Sequence, residues 1–192
     1  MALRAPEPPD ESGTAVRAGL TGLAQAGRFS TPERPTVTAD ELELARPHRA
    51  YLLGLDDLQA GRALEAAQLT GWRYLVLHRG APVALAETVI DRDGSHVLAQ
   101  VNYGPFVAGS ARAFDAAEAL DTPDAEARLL HVPALHFLAL WLHEDTPDAV
   151  LVPIAPTISG INANQPYPAA ELLADLSERA RAQADQADDA GS

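Results

Sequence analysis

Three short runs near the middle of the chain, WRYLVLH, VALAETVI and HVLAQVN, alternate apolar and polar residues with the period of two that a half-buried strand requires. RGAP and DRDGS separate them, and short glycine-containing connections join antiparallel neighbours, so residues 72–102 read as a three-stranded meander. With Asp93-Gly94 at the second turn, Val89 faces Leu98, Glu87 faces Gln100 and Leu85 faces Asn102. A four-residue first loop sets Tyr74 against Glu87 and Val76 against Leu85. One face then carries Leu75, Leu77, Ala84, Ala86 and Val101 toward the core. Across the other runs a polar row of Tyr74, Glu87 and Gln100, with Asn102 beside it, among Trp72, Val76 and Leu85.

On either side of the meander the pattern turns helical. Thr38 and Glu41 have capping-box spacing before Leu42 and Leu44, with Pro47 as the stop. LDDLQAGRALEAAQLTG carries a stripe of Leu58, Ala63, Leu64 and Ala67, and Gly71 can end it. Further on, residues 106–120 read as a helix, 129–132 as a strand, 133–143 as a helix, AVLVPI as a strand, and 168 to about 183 as a last helix opened by Pro168. The order α-β-β-β-α-β-α-β-α implies an α+β domain over residues 38–183. In it the meander extends to a mixed sheet of about five strands flanked by helices.

Residues 1–37 are rich in Pro, Gly, Ser, Thr and charge and are expected to form a disordered arm, and residues 184–192 an acidic disordered tail. Inside the arm Val16, Leu20 and Leu23 keep helical spacing, a candidate docking segment that folds on a partner. Gly19, Gly22 and Gly27 would each cost a free helix there about 1 kcal/mol relative to alanine.

Composition narrows the chemistry. All 14 basic residues are arginine and there is no cysteine, which removes lysine Schiff bases, the P-loop lysine, thiol nucleophiles, disulfides and Cys-ligated metals. A net charge of -13 repels a phosphate backbone, so nucleic acid is not an expected partner. No apolar run is long enough to span a bilayer and no signal peptide is legible, so a cytoplasmic protein is the expectation.

HVPALHFLALWLHED places His131, His136 and His143 in an apolar stretch. With Pro133 opening a helix, His131 and His136 occupy the two staple positions and should touch. His143 falls two turns beyond His136, about 10.5 Å along the axis, and should sit at the carbonyl end of the helix. One metal cannot take both, and no third ligand is spaced for it, so no metal is expected.

QVNYGPF joins the third strand to a helix, making Tyr103 and Gly104 a candidate anion-holding turn, although Pro105 removes one donor. The element order over roughly residues 56–153 resembles the core of the GNAT acetyltransferases, in which three antiparallel strands feed a helix whose start cradles the coenzyme A pyrophosphate. The likeness is one of order. Where that family carries Arg/Gln-x-x-Gly-x-Gly/Ala, this chain has NYGPFVAG, with Gly104 and Gly109 and no basic residue, and no cofactor is expected. PTISGIN offers Ser159 without the GxSxG elbow of a serine hydrolase. The expected function is that of a non-catalytic α+β domain acting through contacts with another protein. The alternative is a small-molecule-binding or acyltransferase-like enzyme using the outer sheet face.

Overall fold

A computed structural model describes residues 3–30, 36–62, 64–120, 122, 124–144 and 149–190, with side chains through residue 182. Among these residues eight strands form one sheet: β1 (Leu42–Leu52), β2 (Gln68–His78), β3 (Ala81–Ile90), β4 (His96–Asn102), β5 (Glu126–Val132), β6 (Phe137–His143), β7 (Val150–Pro153) and β8 (Tyr167–Pro168). Their order is β4-β3-β2-β1-β5-β6-β7-β8. Two antiparallel meanders, β1 to β4 and β5 to β8, meet where β1 and β5 run parallel. The fold is α+β with a mixed sheet, as expected, but the sheet has eight strands rather than five.

Two of the three additional strands, β1 and β6, come from segments that read as helices, and the third, β8, is a two-residue strand at the expected start of the last helix. Thr38 and Glu41 do form a capping box, yet the turn it opens is a three-residue 3-10 turn and the chain then extends into β1. Pro47 sits at a bulge in β1, between the paired residues Ala45 and His48, where no ladder N–H is required. Residues 133–143 become a 3-10 turn at Pro133–Leu135 followed by β6, every residue of which is buried from Phe137 to Leu142. A run buried on both faces has no alternation to distinguish it from a buried helix.

Four helices cover the sheet: α1 (Asp10–Gln25), α2 (Leu55–Gln59), α3 (Pro105–Glu118) and α4 (Ala169–Ala190). The second expected helix shortens to α2 and a 3-10 turn, and Gly71, its expected stop, lies within β2. Ala63 of its stripe lies outside the described residues. On one sheet face α3 packs Ala113, Phe114 and Ala117 against Leu129, Leu140 and Val152. The opposite face takes α1 over the first meander and α2 with α4 over the second, where Leu172, Leu173 and Leu176 meet Leu130, Trp141 and Leu151.

Residues 10–25, expected within a loose arm, form α1 and bury Val16 and Leu20 against Trp72, Tyr74 and Val76. Leu23 packs partly on the same cluster, and Phe29 and Val37 complete it. The glycines that weaken an isolated helix have a tertiary use here. A Cβ on Gly19 would lie 2.0 Å from Leu98 Cδ2, so glycine lets the helix settle against β4 without moving that leucine side chain. At the other end α4 continues through Ala190, past the expected boundary at 183, while residues 191–192 and the side chains beyond 182 lie outside the description.

The helix α3 does follow three antiparallel strands, as in the GNAT resemblance. The strand after it crosses to the far side of β1, so β3, β2 and β1 separate β4 from β5. Among the described residues no helix is long and apolar enough to cross a membrane.

Candidate functional site

The meander lies where the pattern placed it, but its first register differs by one residue. Arg79 and Gly80, at φ 51° and 78°, make a two-residue loop, which pairs His78 with Ala81. A bulge then follows between Val76 and Leu77, and the two changes together turn β2 over relative to β3. Glu87 therefore lies opposite Arg73, and Tyr74 opposite Ala86. The second hairpin keeps Glu87 against Gln100 and Leu85 against Asn102, although its loop runs through five residues and a bulge sets Val89 against Val97.

This divides the expected polar row. Tyr74 points to the α1 face, where its hydroxyl donates to Ser12 Oγ at 2.7 Å and Ser12 shares a 3.0 Å hydrogen bond with Thr88 Oγ1. Burial raises the Tyr74 phenol above its ordinary value, and the group is closed off from any pocket by α1. Glu87, Gln100 and Asn102 stay together on the α3 face, joined by Arg73.

Those four line a pocket of about 250 Å³ whose far wall comes from the second meander. Tyr103 and Phe106 form its rim at the start of α3, Leu129 and Leu138 its apolar floor, and His131 and His136 its remaining side. The two candidate places in the sequence, the sheet row and the strand-to-helix turn, thus converge on one cavity. Gly104 caps α3 at φ 98°, a conformation that favours glycine, and leads the chain from Tyr103 into the helix.

His131 and His136 are neighbours, as the spacing implied, though the cause is a hairpin rather than a helical staple. His131 pairs across to Leu138, and His136 takes the left-handed conformation (φ 50°) that ends the 3-10 turn. Burial pushes His131 below the ordinary imidazole value; Glu87 opposes this, and Arg73 and His136 reinforce it. His143 ends β6 rather than a helix, its ring edge-on to Trp141 at 5.3 Å on the opposite sheet face. Among the described residues no three His, Asp or Glu side chains are grouped to hold a metal.

Arg73 is the residue the sequence reading missed. Its side chain is 5% exposed, and Nε and Nη1 are buried without a hydrogen bond. Glu87 Oε2 lies 3.4 Å from Nε, close enough for attraction but outside hydrogen-bonding geometry. That oxygen also accepts from Gln100 Nε2 at 3.4 Å. Burial works against the cation and Glu87 supports it. A buried guanidinium with open donors is costly, since each unpaired polar group loses its hydration without compensation. Planar and fork-shaped, it suits a carboxylate or phosphate.

Beneath Arg73, His48 is fully buried, packs edge-to-face with Phe114 at 5.2 Å between ring centroids, and hydrogen-bonds through Nδ1 to the Arg46 carbonyl at 2.7 Å. It pairs with Arg73 across the ladder and forms part of the support under the pocket. Ser159 sits in the loop after β7, away from this cavity, with its carbonyl accepting from Arg179. None of the known protein-family models, curated proteins or solved structures matches this chain.

Proposed function

We propose that this chain is a binding protein that takes a small, negatively charged group into the pocket between the sheet and the start of α3. One observation carries the reading: the Arg73 guanidinium is buried, lines the cavity, and has two nitrogens without hydrogen bonds. A cavity of about 250 Å³ is smaller than the roughly 300–1,000 Å³ typical of sites for drug-sized ligands, which favours a compact guest. Binding without turnover is supported by the lining, whose titratable groups are one carboxylate, two imidazoles, the Tyr103 phenol and the guanidinium, with no hydroxyl–imidazole–carboxylate relay among them.

The test is thermal unfolding of the full chain in the presence of millimolar carboxylates, α-amino acids among them, and inorganic phosphate. The melting temperature should rise for at least one of these carboxylate or phosphate compounds, and Arg73→Gln should abolish the rise. An unchanged midpoint with every one of them would end the proposal.

Contact with another protein is the second reading, but at a different place from the expected docking segment. Val16 and Leu20 are consumed inside the fold. Leu69, Ile90 and Val97 instead remain exposed at one end of the first meander, where β2, β3 and β4 lie side by side.

A further inference from the structure

Resting on the pocket being a ligand site, we infer that its guest is a small zwitterion, an α-amino acid with an apolar side chain. The cavity presents two opposite formal charges next to each other, Arg73 and Glu87, whose closest atoms are 3.4 Å apart. Neither is fully used by the other: the Arg73 nitrogens make no hydrogen bond, and the Glu87 oxygen nearest them has only a long contact from Gln100.

A simple anion would satisfy Arg73 while lying beside the Glu87 carboxylate, and a simple amine would satisfy Glu87 while lying beside the guanidinium; like charges at such distances repel. A guest bearing both signs on neighbouring groups meets both walls. The carboxylate and ammonium of an α-amino acid are one carbon apart, which matches two side chains that project from directly opposed positions on neighbouring strands.

The rest of the lining fits this division. Gln100 and Asn102, on the β4 side of Glu87, offer amide oxygens and N–H groups to an ammonium or carboxylate. On the other side Leu129, Leu138 and Phe106 provide an apolar surface for a side chain. Burial keeps His131 toward its neutral form, so it adds no second full positive charge that would turn the site into one for dianions. A cavity of about 250 Å³ accommodates one such molecule.

Calorimetric titration of the full-length protein with four probes tests this: leucine, its α-keto acid (no ammonium), 3-methylbutylamine (no carboxylate) and inorganic phosphate. Leucine is expected to bind at least tenfold more tightly than each of the others. Glu87→Gln should bring the keto acid level with leucine, and Arg73→Gln should remove both. Keto acid or phosphate binding as well as leucine in the unaltered protein overturns the zwitterion and leaves the anion pocket standing. Binding of none of the four overturns both. Because the ligand series is read on the unaltered chain, the outcome does not depend on either variant folding.

Discussion

Burial lowers His48 from the ordinary 6.5 to about 4, with the Arg46 carbonyl opposing and Arg73 adding to the effect. Between those two pH values the unfolded chain takes up a proton that the folded chain refuses, so stability declines as the solution is acidified from 6.5 toward 4. The displacement corresponds to on the order of 3 kcal/mol. Urea unfolding at pH 7, 5 and 4 should show that decline, and His48→Gln should flatten it even if the variant is less stable at pH 7. A pH dependence unchanged in the variant would move the acid sensitivity elsewhere, for instance to Glu126, whose burial opposes ionisation but is outweighed by Arg128 and Arg49. That carboxylate would act only below its ordinary value of 4.5, so the two windows overlap only at their acid end and a decline between pH 7 and 5 belongs to His48. At this scale the candidate site was partly legible. Glu87, Gln100, Asn102 and Tyr103 stood out as polar residues at strand and turn positions that the structure does bring together. Arg73 did not, although one arginine on the otherwise apolar alternation with Leu75 and Leu77 was a signal. The one-residue register change that brings it opposite Glu87 comes from a tighter loop combined with a bulge, and the bulge leaves no mark in an apolar/polar pattern.

At the level of elements, α1 shows local preference losing to tertiary packing. Its glycines argue against a helix in isolation, but Val16 and Leu20 are almost completely inaccessible against the sheet and Gly19 lets the helix approach Leu98. Leu20→Ala should therefore cost about 2–5 kcal/mol, and deletion of residues 1–30 should lower the melting temperature by well over 10 °C. A truncated chain that melts with the intact one would show that α1 adds nothing to the body. Other elements were readable: β4 is an edge strand whose burial alternates, the short glycine-containing turns mark the meander although β2 and β3 are covered on both faces, and α3 and α4 have clear apolar stripes. Other covered strands were not. FLALWLH in β6 is continuously apolar, and β1, with a bulge at Pro47 and pairing on both sides, mixes buried and half-buried residues without strict alternation.

For the molecule as a whole, the parallel pairing of β1 with β5 is the joint that matters, and sequence alone could not show it because the partners are some eighty residues apart and lack a connecting turn. Side chains bridge this joint on the α1/α4 face. Arg49 lies over Trp72 at 5.3 Å and bonds Glu126 at 2.6 Å; Arg128 bonds the same carboxylate at 2.9 Å and lies over Trp141 at 4.9 Å. Each meander thus has one tryptophan, the two linked through partly exposed arginines that share the buried Glu126 carboxylate. Variants retaining a single reporter, Trp72→Phe and Trp141→Phe, should lose fluorescence signal at the same urea midpoint as each one's own circular dichroism transition. Separate midpoints for fluorescence and ellipticity would mean that the two meanders come apart independently. The outermost strand gives α1 a further role. HVLAQVN has no proline and no Asp, Glu or Arg, and it borders the sheet with one side unpaired. A protease that trims the first helix would also bare Leu98 and its neighbours beside that border, leaving an uncovered apolar edge of the kind on which a second chain can pair.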